Sequence, residues 1–191
     1  MNRNIHQDLK YENSRFAVIP PEPGDYENCV FKNCDFSGAD LSELNFIECL
    51  FEGCNLSLTK LLNTSFKECK FTGSKLMGLH FEDCNRLLIS IEFENCAVEL
   101  CSFNKLKLRQ TYFRNSRINE ADFTETDLKD SSFISCDLQR SIFLNTNLEG
   151  VDFITSFNYS IDPELNRIRK ARFSVNGLKG LLDKYDICIE E

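Results

Sequence analysis

Large apolar residues recur at every fifth position over most of the chain. From Phe31 the series runs Phe36, Leu41, Phe46, Phe51, Leu56, Leu61, Phe66, Phe71, Leu76 and Phe81. It resumes as Phe93, Val98, Phe103, Leu108, Phe113, Ile118, Phe123, Leu128, Phe133, Leu138, Phe143, Leu148 and Phe153, two residues out of phase with the first run. Two positions ahead of most of these centres stands a small or thiol residue, among them Cys34, Ala39, Cys49, Ser74, Cys96, Ala121, Ser131 and Cys136. The remaining three positions of each five are mostly polar.

A period of five is neither the 3.6 of a helix nor the 2 of a strand. A chain that turns two side chains inward and three outward every five residues must bend at a corner each time, and four corners close a square coil of twenty residues. At that spacing Phe93, Phe113, Phe133 and Phe153 share one column, and Phe103, Phe123 and Phe143 the opposite one. Val98, Ile118 and Leu138 fill a third column and Leu108, Leu128 and Leu148 the fourth. Rings on two walls and aliphatic chains on the other two can fill a narrow interior at crystal-like density. The pattern predicts an all-β repeat solenoid with these seven phenylalanines as core centres.

The break between the two runs falls at 86–91. Arg86 holds the place of a large apolar residue, and an unpaired charge in the core is too costly. A bulge is expected there, with Leu87, Leu88, Ile89 and Ile91 repacking the gap. Ahead of the repeats, Tyr11 to Phe16 echoes Tyr26 to Phe31 and predicts a partial coil within 1–25, followed by a loop at Pro20, Pro21 and Pro23. The repeats proper span 26–156. In the remaining segment, 157–191, Asp162 before Pro163 predicts a short helix to about Lys170. Leu178, Leu181, Leu182 and Tyr185 fit one face of a second helix, opened by Ser174, and Ile187 and Ile189 alternate like a short strand.

Composition changes this picture in two ways. The 191 residues carry 22 Lys and Arg against 30 Asp and Glu, a net charge of −8. Such a chain does not bind nucleic acid or anionic membranes through general charge attraction. It has no long apolar run and no leader-like start, so a soluble cytoplasmic protein is expected. Of the 10 cysteines, nine fall in the small-residue slot of the repeat, which reads as buried thiols. Stacking at ~4.8 Å exceeds the ~3.8 Å Cβ separation usual in a disulfide, and no four ligands converge as zinc requires. Cys188 lies outside the slot. His6 and His80 are the only histidines, His80 in an outward slot, and no phosphate loop, nucleophile elbow or metalloprotease motif occurs. Neither enzymatic activity nor a cofactor is expected.

The segment YENCVFKNCDFSGADLS, Tyr26 to Ser42, resembles the pentapeptide-repeat proteins, and within them the Qnr, MfpA and McbG group. The resemblance covers 26–156 and implies a right-handed quadrilateral parallel β-helix of about six and a half coils, roughly 30 Å long at sheet spacing. It further implies a C-terminal capping and dimerising segment, here Leu178, Leu181, Leu182, Tyr185, Ile187 and Ile189. In that group an acidic, rod-shaped dimer takes the place of duplex DNA on gyrase and topoisomerase IV and protects them from fluoroquinolones or a peptide toxin. The chain lacks the long loops of mobile Qnr proteins and in this respect is similar to MfpA and McbG. Glu120, Asp122, Glu125, Asp127 and Asp130 form the acidic cluster expected to face such a partner. Lys105, Lys107, Arg109, Arg114 and Arg117 decorate the coil before it, so an ordinary solvated face remains the other reading of the cluster. An interaction scaffold without a topoisomerase role remains the other reading of the whole.

Overall fold

A computed structural model describes residues 3–87 and 89–188. The chain winds as a four-sided parallel β-helix, and its walls are named here in chain order. Wall A carries His6, Tyr26, Phe46, Phe66, Leu108, Leu128, Leu148 and Ile168. Its first four rungs pair as a parallel sheet, from Ile5–Gln7 through Asp25–Glu27 and Asn45–Ile47 to Ser65–Lys67. Wall B is a seven-stranded parallel sheet running from Lys10–Glu12 to Ser132–Ile134. Wall C contains the paired strands Lys75–Met77 and Ala97–Glu99. Wall D, built on Leu41, Leu61, Phe81, Phe103, Phe123 and Phe143, is held by single bridges such as Asp40 to Lys60 and Ser102 to Asp122.

All seven expected core phenylalanines are buried, with Phe143 the most exposed at 6%. On wall B the rings stack from Tyr11 on Phe31 to Phe153 on Phe173, with centroids 4.6 Å apart at Phe113 and Phe133 and 5.4 Å at Phe71 and Phe93. In the second half the facing columns meet edge to face, as at Phe143 and Phe153 (6.0 Å, 90°). In the first half the second ring column lies on wall A, the neighbouring wall, as at Phe46 and Phe51 (5.4 Å, 69°).

Most corners place the residue two beyond the centre in the left-handed region. Asn33, Gly38, Glu43, Glu48 and Gly53 have φ between 51° and 65°. Many corners also close with a hydrogen bond from the third residue back to the centre, as Ala39 N to Phe36 O (2.9 Å), the geometry of a type II turn. Asn and Gly enter this region readily, whereas other residues with a Cβ give up roughly 1–2 kcal/mol. The slot before each centre closes the corner from inside. Thr64 Oγ1 donates to Leu41 O (2.8 Å), Ser131 Oγ to Leu108 O (2.7 Å) and Cys54 Sγ to Phe31 O (3.2 Å), each one coil back. A thiol or a hydroxyl makes this bond, a methyl such as that of Ala39 fills the slot without it, and all nine slot cysteines are buried and unpaired. Burial pushes the thiols of Cys54 and Cys101 up to about 12 and that of Cys136 up to about 11.

The expected partial coil forms: Lys10–Glu12 pairs with Val30–Lys32 and Arg15 bridges Asp35. The expected interruption is also present. Phe71 pairs with Phe93, not with residue 91, so two extra residues are absorbed between Asn85 N, bonded to Thr64 O, and Ser90 N, bonded to Phe66 O. Arg86 is exposed in this turn. Leu87 does not repack the gap, being 92% exposed; Ile91 is buried and Ile89 half-buried against the core. The expected packing role of Leu88 lies outside the described residues.

The helix expected from Asp162 to Lys170 does not form. The segment makes another coil: Arg167 N bonds Thr146 O (3.0 Å) and Arg172 N bonds Val151 O (2.8 Å). Ile168 and Phe173 stand twenty residues beyond Leu148 and Phe153, and their burial outweighs the local helix signal. Asp162 caps a turn instead, accepting from Glu164 N (2.9 Å). The ring column from Tyr11 to Phe173 thus spans eight steps of ~4.8 Å, roughly 38 Å.

After Phe173 the expected single helix is replaced by two short 3-10 turns, Leu178–Leu181 and Asp183–Tyr185. Tyr159 turns inward beneath them, and a Cβ at Gly177 would lie 1.9 Å from its hydroxyl oxygen, one at Gly180 2.2 Å from its carbonyl. These glycines let the backbone close on the end of the core, where Ile161 N bonds Gly180 O (2.9 Å). Leu181 and Leu182 are half-buried, while Leu178, Tyr185 and Ile187 are 45%, 54% and 55% exposed. Ile187 is in no strand, and Ile189 lies outside the described residues. No helix among the described residues is long and apolar enough to cross a membrane.

Candidate partner-binding face

With the interior filled by side chains, any chemistry of recognition belongs to the outer walls. Among the described residues no cluster of three or more His, Cys, Asp or Glu is arranged to hold a metal. His80 is exposed on wall D, with Nδ1 3.1 Å from Glu82 Oε1.

The coil geometry sorts the carboxylates. Residues flanking the centres of wall D, and those at its far corner, include Asp40, Glu43, Glu82, Asp83, Asp122, Glu125, Asp162 and Glu164, against Lys60 and Lys105. They fall in pairs on alternate rungs, Asp40 with Glu43, Glu82 with Asp83, Asp122 with Glu125 and Asp162 with Glu164, about 9.6 Å apart, and the rungs of Leu61, Phe103 and Phe143 carry none.

The expected acidic cluster is split between walls. Asp122 and Glu125 belong to wall D, Glu120 to the corner between walls C and D, and Asp127 and Asp130 to wall A and its corner. Several are engaged. Asp122 Oδ1 accepts from Thr124 N (2.8 Å) and so builds the turn. Asp127 accepts from Asn147 Nδ2 (2.8 Å) and pairs with Arg109 (2.5 Å). Glu120 pairs with Arg140 (3.6 Å) and Glu125 with Lys105 (3.8 Å). Asp130 lies over Gly150, where a Cβ would meet its Oδ1 at 2.3 Å.

Asp40, Glu43, Glu82, Asp83, Asp162 and Glu164 were not singled out from the sequence, because they are distant along the chain. The signal was present in the twenty-residue spacing, which superposes outward positions as well as core centres. Asp40 is held below the usual carboxylate range by the Ser42 hydroxyl and its backbone N–H. Asp162 is likewise lowered, chiefly by Lys184, whose Nζ lies 2.8 Å from both Asp162 Oδ1 and Glu164 Oε2.

A family model described as a pentapeptide repeat region matches residues 25–92 and 88–157, across both registers. The chain belongs to the pentapeptide-repeat family. Among solved pentapeptide-repeat structures, a trypsin-treated single-residue variant of QnrB1, a plasmid-mediated fluoroquinolone resistance protein, is similar over 100% of both chains, with a TM-score of 0.64 and 20% identity. Full-length QnrB1 is similar over 96% of this chain and 100% of its own, with a TM-score of 0.51 and 21% identity. No curated protein matches the sequence significantly. At such identities the pentapeptide-repeat likeness establishes the fold, and function rests on the walls.

Proposed function

We propose that this pentapeptide-repeat protein binds the basic, DNA-binding surface of a type II topoisomerase, gyrase or topoisomerase IV, in place of duplex DNA. By occupying that surface it modulates the enzyme or shields it from poisons that act on the enzyme–DNA complex. The observation that carries the reading is wall D: eight carboxylates, paired on alternate rungs along one wall, against Lys60 and Lys105. The net charge of −8 and the fold shared with a fluoroquinolone resistance protein support it. Charge complementarity of this kind acts mainly on encounter rate and orientation.

Two-fold pairing through the C-terminal segment would extend the acidic edge. Val175, Leu178, Tyr185 and Ile187 are exposed there, Val175 at 84%, and apolar side chains left in water at a rod end favour a self-complementary contact.

The test is gyrase supercoiling and quinolone-induced DNA cleavage, titrated with the protein and with the triple variant Glu43→Lys, Asp83→Lys, Glu125→Lys. These corner or rim residues avoid the turn-building aspartates. Inhibition or protection by the wild type that the variant lacks supports the reading. If the wild type alters neither reaction for gyrase or topoisomerase IV, the protein is an interaction scaffold for another partner.

A further inference from the structure

Three leucines break the polar pattern on wall D and at its corner with wall C. Leu58 and Leu100 hold left-handed corner positions, φ 58° and 56°, and are 67% and 55% exposed. Leu62, 58% exposed, lies across wall D from Leu58, beyond the centre Leu61. Along the same corner the equivalent positions are Gly38, Gly78, Glu120 and Arg140. Leucine there is disfavoured by its backbone, and its side chain contributes little to the core because it stays in water. Glu120 and Arg140 hold the same corner conformation, so what sets the leucines apart is an apolar side chain left in water.

The surroundings say what kind of use. Leu58 leans over Gly78, where a Cβ would approach its Cδ2 to 2.9 Å. Leu58 and Leu100 stand two rungs apart, roughly 9.6 Å, with the Leu58 side chain covering Gly78 between them. A groove of about 490 Å³ runs alongside, lined by Leu58, Leu62, Asp40, Lys60, His80 and Asp83. The charges that line it are Asp40, Asp83 and Lys60, with Glu43 and Glu82 elsewhere on wall D. An apolar knob framed by carboxylates matches a hydrophobic cleft framed by lysines and arginines.

We propose that Leu58, Leu62 and Leu100 form the apolar anchor by which the acidic wall docks on a basic protein surface. The leucines enter a hydrophobic cleft, and the neighbouring carboxylates pair with its basic rim. This rests on wall D as the partner surface and adds that recognition there is not by charge alone. It supplies a central desolvated contact of the sort that dominates interface energetics.

The double variant Leu58→Asn, Leu100→Asn separates anchor from scaffold, because asparagine accepts the left-handed corner. The variant is expected to melt higher by roughly 2–4 °C. Two synthetic arginine-rich peptides of equal charge, one carrying leucines and the other serines in their place, are titrated calorimetrically. The wild type is expected to bind the leucine peptide about tenfold more tightly than the serine peptide, and the variant to bind both alike. Equal binding of the two peptides by the wild type, or unchanged preference in the variant, overturns the anchor. The same variant in the gyrase assay keeps the two readings apart. A gyrase effect that the variant retains in full also counts against the anchor. No gyrase effect from the wild type, together with the leucine preference, removes the topoisomerase reading and leaves the anchor standing.

Discussion

At the level of single residues, the corner makes the strictest demand. Gly38 has φ +65° with nothing within 4 Å of an added Cβ, so Gly38→Ala measures the left-handed preference by itself. It should lower unfolding stability in urea by roughly 1 kcal/mol. Gly180→Ala should cost more, since its Cβ would sit 2.2 Å from the Tyr159 carbonyl oxygen and the backbone must move. Inside the corner the requirement is looser. Cys54→Ser keeps a donor to Phe31 O and should be tolerated, while Cys54→Leu overfills a slot that is 2% exposed and should destabilise by roughly 1–3 kcal/mol. The slot thiols are also shielded by burial, whereas Cys188 is exposed. Titration of the native protein with a thiol reagent at neutral pH should label Cys188 quickly and the other nine only after unfolding.

Among elements, the coils were legible and the closures were not. Columns such as Phe93, Phe113, Phe133 and Phe153 could be assigned from spacing alone because each coil packs only on its neighbours, so one local rule repeats. The segment after Phe153 misled because Asp162 and Pro163 carry a strong helix-start signal. Ile168 and Phe173 carried the opposing signal at the old spacing, and core continuity prevailed. Leu87 was expected inside because it is apolar, yet two extra residues can be absorbed only by looping outward. The acidic wall was half legible: Asp122 and Glu125 lay in a visible cluster, whereas Asp40 and Asp162 join them only through six coils of winding. Cap attachment carries its own pH signature. Asp162 is lowered in the folded state, so its contribution is present above its unfolded value near 3.9 and is lost as pH falls through the folded one. Lys184 is raised, so its contribution is present below about 10.4 and is lost as pH rises through the folded value. Melting curves of the wild type and Lys184→Met should differ at pH 7 and converge as pH falls through the folded value of Asp162.

For the molecule as a whole, the exposed Val175, Leu178, Tyr185 and Ile187 at one end predict self-association. Sedimentation of the wild type should give a dimer, and Leu178→Glu with Ile187→Glu a folded monomer. Interaction of the acidic wall with a basic partner should weaken steeply with ionic strength, the leucine corner supplying the salt-insensitive remainder. The twenty-residue coil also makes the protein's length a quantised property. Loss or duplication of one coil within the second register, for instance 113–132, would shorten or lengthen the rod by about 4.8 Å and keep every wall in line. Gain of a single five-residue repeat would swing everything downstream through a quarter turn, carrying half of the carboxylates onto a different side. Lineages of such a chain are therefore free to change reach in whole coils, while their direction of attack on a partner stays locked by arithmetic.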